Sequence, residues 1–238
     1  MKRNIIHDGV SIKIFETDDP QKVIIHFTDE ITAFNKIKKA VIKDKGIYCN
    51  GISCEISRLL QKGGVPTHFI EQISDTEQLC WKSQVIPMEV IVRNVIAGSM
   101  AQRLGLEEGI VPKEPVYDLC YKSDILCDPI INDYHAVALG LVSKEELERI
   151  YSLTKQVNGI LTPVFKEIGI TLVDFKIEFG HLSDGRLVMS DDITPDSARF
   201  WDIATGERLD KDRFRRDNGH VGEAYMTVYE RLTGKSRT

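Results

Sequence analysis

A two-lobed α+β fold is what this 238-residue sequence predicts. Three observations lead there: strand-like and helix-like segments follow one another without regular βαβ alternation, a proline interrupts two strand-like runs at QVIP, and no repeat, low-complexity tract or flexible linker is present. The interruption, Pro87, sets the expected division into lobes 1–86 and 87–238. With 42% hydrophobic residues the chain can bury real cores without staples.

The elements follow in order. SIKIFE and KVIIHFT flank the turn TDDPQ, an antiparallel hairpin signal. Ile52, Ile56, Leu59 and Leu60 recur at helical spacing and predict a helix over residues 50–62, stopped by Gly63 and Gly64. Strands follow at THFIEQI, LCWKSQV and MEVIVRNVI. Ser143, with Glu146 three residues on, is a capping box, and the apolar stripe from Leu147 to Ile168 carries the helix to Gly169. A last helix is expected from Glu223 to Leu232, with Gly234 beyond.

A formal net charge of -5 leaves no bulk basic field for nucleic acid or an anionic membrane, so an anionic ligand must be caught locally. No apolar run has the length of a membrane span or a signal segment. The five cysteines contain no CxxC pair and sit in apolar segments; a reducing, cytoplasmic setting is expected, with the thiols as small core residues.

DFKIEFG, residues 174–180, alternates charge with grease. As a strand it lines Asp174, Lys176 and Glu178 on one face and Phe175, Ile177 and Phe179 on the other. The strand runs into HLSDGRLVMSDD, where a two-residue turn at Asp184 and Gly185 would set Ser183 opposite Arg186 and Glu178 opposite Asp191. Two carboxylates about 5 Å apart at Cβ repel. A shared proton, a cation such as Lys176 or a divalent metal relieves them, and oxygen donors without His or Cys point to Mg²⁺. The plain alternative is a hairpin edge facing solvent. Asp196, Ser197 and Arg199 follow in a turn-rich stretch, with Arg199 suited to bidentate capture of phosphate or carboxylate.

PMEVIVRNVIAGSMAQRLG has Glu89, Ile91 and Arg93 on one face and Met88, Val90, Val92 and Asn94 on the other. An arginine in a strand covered on both sides needs a partner. Gly98 and Ser99 open a short helix beyond, so Arg93, Ser99 and free backbone N–H groups form a candidate anion pocket; a capped surface helix with a snorkelling arginine is the alternative. YKSDILCDP, with Lys122 and Asp128, reads by itself as a polar loop. KDRFRR reads either as solvated helix surface or as a site for phosphate or carboxylate.

Together PMEVIVRNVIAGSMAQRLG, the Asp-Pro of CDPI, VDFKIEFG, SDDITPDSARFWD and DKDRFR resemble, in order and spacing, the SAICAR synthetase family. The likeness runs from about Gly9 to the C-terminus. It implies a two-lobed fold with an ATP-grasp or kinase-like ATP lobe and a larger α+β lobe. It implies a ligase that joins the nucleotide carboxylate CAIR to L-aspartate at the expense of ATP, through an acyl phosphate, in purine biosynthesis. By the same resemblance Glu178 and Asp191 hold Mg²⁺, Lys176 neutralises the transferring phosphoryl group, and Asp174 orients Lys176 or accepts a hydrogen bond from substrate. Arg93, Ser99 and Arg199 bind the CAIR phosphate, with Asp196 and Ser197 near its ribose. Asp128 and Arg215 position CAIR or aspartate, Glu89 and Lys122 lie towards ATP, and the protein is a homodimer.

Three places depart from the family pattern. Gly9-Val10-Ser11-Ile12 stands where Gly-Lys-x-Lys is usual, Thr32-Ala33-Phe34-Asn35 replaces Ser-Ala-Phe-Asp, and Cys127 replaces a histidine. The ATP phosphates then need another cation, for which Lys13 and Lys22 are the candidates. Lys22 is preferred, because pairing Glu16 with Lys22 puts it on the face of Val10 and Ile12. The rival readings are a Mg²⁺-dependent phosphohydrolase and a catalytically silent nucleotide-binding protein.

Overall fold

A computed structural model describes residues 2–34 and 37–236; Asn35 of the altered first-lobe motif lies outside the described residues. The chain runs β1 (Ile5–Asp8), β2 (Ile12–Glu16), β3 (Lys22–Phe27), β4 (Glu30–Ala33), β5 (Lys38–Val41), α1 (Lys45–Lys62), β6 (Phe69–Gln72), β7 (Glu77–Trp81) and β8 (Gln84–Arg93). It continues through α2 (Gly98–Leu104), β9 (Val116–Tyr121), β10 (Ile130–Ile131), α3 (Asp133–Ala138), α4 (Lys144–Glu167), β11 (Ile170–His181), β12 (Leu187–Met189), β13 (Ala198–Asp202), α5 (Asp212–Arg215) and α6 (Val221–Thr233).

Two antiparallel sheets dominate. The first has the order β1-β2-β3-β7-β6; the second has the order β10-β9-β8-β11-β12, with β13 also pairing β11. The chain crosses from one to the other at Lys82 and Ser83, and Pro87 lies inside β8, at the point where the register between Glu178 and Gly180 of β11 and their partners on β8 shifts. A proline without an N–H is tolerated at such an irregularity. The apolar core is continuous across both sheets: Val23, Ile25 and Phe27 of β3 join Phe175, Ile177 and Phe179 of β11 in one cluster with α1, α4 and α6.

α4 begins as the sequence indicates, the Ser143 hydroxyl accepting from the Glu146 N–H at 3.1 Å. The reciprocal half of the box is replaced by an ion pair of Glu146 with His181. α6 starts two residues earlier than expected and ends at a left-handed Gly234. α1 starts five residues earlier than expected. Its first turn carries a fully buried lysine, Lys45, behind an Asp44 cap that makes no side-chain hydrogen bond, so no sequence signal marks the start.

Two registers differ from expectation. The β11–β12 connection is not a two-residue turn: Leu182 pairs with Arg186 around Ser183, Asp184 and a left-handed Gly185, and Phe179 lies opposite Met189. A three-residue loop with glycine in the left-handed position is the next common hairpin closure. In the first hairpin Glu16 pairs with Val23, so Lys22 shares the face of Lys13 and His26 and is turned away from Val10 and Ile12. Four of the cysteines, Cys49, Cys54, Cys80 and Cys120, are buried free thiols, and Cys127 is exposed rather than a core residue.

Candidate active site

β11 carries the site, and its neighbours supply what the charges need. Along β8, Glu178 lies opposite Glu89 and Asp174 opposite Arg93. Along β13, Asp174 lies opposite Arg199. One face of three adjacent strands therefore presents a row Arg93, Asp174, Arg199, then a second group, Lys176 one pleat further along and Glu178 with Glu89 two pleats along. The other face of β11 is sealed by Phe175 and Ile177, both fully buried. A register irregularity between Leu172 and Asp174 on the β13 side sits directly beside the first row, a place where bulges re-aim side chains.

The second group is a lysine ringed by acids. Lys176 Nζ lies 3.0 Å from Glu89, 2.6 Å from Glu178 and 3.0 Å from Asp191. Lys122 Nζ adds a contact of 2.5 Å to Glu178. Burial works to discharge Lys176, but Asp191, Glu178 and Glu89 outweigh it and hold the ammonium well above its ordinary value. Burial raises Glu89 against the pull of Lys176. Glu178 and Asp191 are not cross-strand neighbours as the two-residue turn implied. Ser190 takes that place, donating its N–H to Glu178 O, and the chain past β12 carries Asp191 back to the lysine.

Among the described residues no group of three or more His, Cys, Asp or Glu forms a ready metal cluster. Mg²⁺ is held by one or two carboxylates completed by substrate phosphates and water, and Glu178 with Asp191 fits that donor set.

The first row is an arginine pocket. Arg199 donates to Asp174 and to Asp212, both at 2.8 Å. Arg93, only 2% exposed, reaches Asp118 at 2.8 Å, Asp174 at 3.5 Å and the Ser99 hydroxyl at 3.2 Å. Burial lifts the Asp174 carboxyl above the usual range against both guanidinium groups. Gly98, Ser99, Gln102, Arg199, Asp212, Arg215, Arg216 and Phe34 line a cavity of about 490 Å³ here. A second cavity of about 670 Å³ lies against Lys176, Glu89, Asp128, Cys127, Lys211 and Arg215. Phe34 and Arg215 border both, so the two cavities form one cleft.

Not every expected residue faces that cleft with a spare group. Asp196 accepts from Lys45 and from the Tyr225 hydroxyl, both at 2.7 Å, and although burial raises it, Lys45 brings its pKa down to about 2. The Ser197 hydroxyl holds its own loop, donating to Asp192 O at 2.9 Å. Asp128, left-handed at φ 47°, accepts from Ser123 N at 2.7 Å while bordering the larger cavity. Lys13 pairs with Asp8 and Lys22 with Asp19, and neither borders either cavity. Sequence reasoning missed Lys45, Asp118 and Asp212, whose partners lie far away in sequence or in another element.

A family model described as SAICAR synthetase matches residues 5–232. The phosphoribosylaminoimidazole-succinocarboxamide synthase of Clostridium beijerinckii is 53% identical over 98% of this chain and 99% of its own length. The crystal structure of the synthase of the same name from Ehrlichia chaffeensis superposes with a TM-score of 0.96 at 41% identity, covering 98% of this chain and all of that one. A SAICAR synthetase in complex with ADP superposes with a TM-score of 0.94 at 43% identity, covering 99% of this chain and all of the other. The class so defined is that of ATP-using carbon–nitrogen ligases. The chain belongs to the SAICAR synthetase family.

Proposed function

We propose that the chain joins CAIR to L-aspartate with ATP, giving SAICAR, ADP and phosphate. The observation that carries the residue assignments is the separation of two charge systems on one face: a lysine among three carboxylates, and an arginine pocket one pleat away. A carboxylate is a poor acyl donor. Transfer of the γ-phosphoryl group of ATP to the CAIR carboxylate makes an acyl phosphate and releases ADP. The aspartate amine then attacks the carbonyl carbon, loses a proton, and phosphate departs.

Negative charge crowds at each step, and preorganised cations stabilise it. Lys176 and Lys122 face the transferring phosphoryl group, with Glu89 and Asp174 fixing Lys176 and the arginines. Ser99 and Arg199 hold the CAIR phosphate in the smaller cavity, and Arg93, which does not line it, stands behind them on Asp118, Asp174 and the Ser99 hydroxyl. Arg215 and Asp128 position the substrates between. Mg²⁺ bound by Glu178 and Asp191 would supply charge neutralisation on the phosphates. Asp196 and Ser197 shape the loop beside the ribose rather than offering it free groups. Lobes 1–86 and 87–238 are the ATP lobe and the substrate lobe, the first reaching the larger cavity through Thr32, Ala33 and Phe34.

We also assign a homodimer, supported by the exposed apolar side chains Ile125, Tyr134 and Leu139, and a cytoplasmic setting, supported by the four buried free thiols. None of the described helices is long and apolar enough to cross a membrane. Release of ADP measured with CAIR, L-aspartate and Mg²⁺ together and singly tests the function. Release only when all are present supports the ligase. Release without aspartate marks a phosphohydrolase, and binding without release marks a silent nucleotide-binding protein.

A further inference from the structure

The cations of the cleft are nearly all spoken for. Lys176 and Lys122 belong to the acidic ring, Arg93 and Arg199 to Asp118, Asp174 and Asp212, and Arg215 reaches Asp212 at 2.5 Å. Lys45 is spent on Asp196. Lys211 differs. Among the described residues its ammonium has neither a hydrogen bond nor an ion pair, yet it borders the larger cavity together with Lys176 and Arg215.

Its backbone is firmly placed. The Lys211 N–H donates to Pro195 O at 2.9 Å and its carbonyl accepts from the Arg215 N–H at 3.0 Å, so the residue is fixed between the 192–197 loop and α5. Asp196 is the nearest acid to act on it, but both carboxylate oxygens of Asp196 are taken by Lys45 and Tyr225. Burial lowers the Lys211 pKa, Asp196 opposes, and the neighbouring charges of Arg215 and Lys45 lower it further. A half-buried cation among other cations costs free energy until an anion joins it.

Allocation of the substrates identifies that anion. Resting on the ligase reading above, the CAIR phosphate has the Ser99 and Arg199 pocket, and the ATP phosphates have the Lys176 and Lys122 corner. The third substrate carries two carboxylates, and its amine must approach the carbonyl beside Lys176, inside the cavity that Lys211 borders. We propose that Lys211 binds a carboxylate of the amine donor and thereby sets the preference for L-aspartate.

Steady-state kinetics on the full chain test this, comparing wild type with Lys211→Ala and Lys211→Arg. The alanine variant should raise KM for L-aspartate roughly tenfold or more, the usual worth of a hydrogen bond to a charged group, with KM for CAIR and ATP within about twofold. The arginine variant should recover part of the loss, and both should melt within a few degrees of wild type, which separates substrate binding from misfolding. An unchanged KM for aspartate, or an equal rise for CAIR or ATP, overturns the proposal. Wild type that releases no ADP with all three substrates present overturns the ligase reading itself, a result distinct from either.

Discussion

The Arg199 guanidinium lies so close to the backbone of Gly98 that a Cβ there would fall 2.2 Å from Nη2 and 2.6 Å from Cζ. Gly98 also adopts φ 53°, a conformation that side chains rarely take. Arg199 is held from the other side by Asp174 and Asp212, so it cannot retreat without breaking two ion pairs. Gly98→Ala should therefore displace the guanidinium and lower kcat/KM for CAIR by about 100-fold, the usual effect of an ångström-scale misplacement. KM for ATP should be little changed. A CAIR titration on the purified variant checks this, and wild-type CAIR kinetics would show that Arg199 does not act on that substrate.

Glu178→Gln and Asp191→Asn should each remove most turnover while the protein stays folded. Each deletes a charge assigned to the metal, yet two carboxylates remain around Lys176. Mg²⁺ titrations of ADP release, paired with melting curves, read the two effects separately. Full activity in both variants would remove these residues from the metal assignment.

Lys45 and Asp196 form a buried pair, Lys45 having no exposed side-chain surface and Asp196 12%. Removing the cation alone leaves a carboxylate uncompensated, at a cost of about 3–5 kcal/mol. Lys45→Met should fall by that amount in urea unfolding, and the double variant Lys45→Met, Asp196→Asn should regain part of it. Losses that simply add would mean that the two groups are not coupled.

His68 is 6% exposed, and burial takes its pKa from 6.5 down to about 4, with Glu178 acting weakly in the opposite direction. The folded state keeps the ring neutral where the unfolded chain protonates it. Its contribution is therefore fully present above about pH 6.5 and is lost as pH falls from there towards 4. Unfolding free energies measured between pH 7 and pH 4 should decline, and His68→Gln should flatten the slope in that window. An equal slope in the variant would place the acid sensitivity elsewhere.

The charged row was legible because period two is local: Asp174, Lys176 and Glu178 alternate with Phe175, Ile177 and Phe179 whatever the rest of the chain does. Their partners were not. Glu178 was expected to face Asp191 across a tight turn, but a three-residue loop shifts that register by one, and its cross-strand neighbour is Glu89, 89 positions earlier. The same one-residue uncertainty misplaced Lys22, since turn geometry rather than residue type decides which face a hairpin lysine takes. Asp196 looked available beside a ribose because nothing near it in sequence announces Lys45. Lys211 was hidden for the opposite reason: within KDRFRR a cation without a partner looks the same as one in water.

β11 pairs with β8 on one edge and with β13 and β12 on the other, so its length cannot change without breaking the sheet. At roughly 3.4 Å per residue, Asp174, which faces Arg199, and Lys176 stand about 7 Å apart along the strand. The strand would thus act as a ruler: with Arg199 and Lys176 in the proposed roles, a substrate whose phosphate reaches Arg199 must bring its reactive carboxylate a set distance along β11 to meet Lys176. Nucleotides shorter or longer than this spacing would satisfy one end or the other but not both.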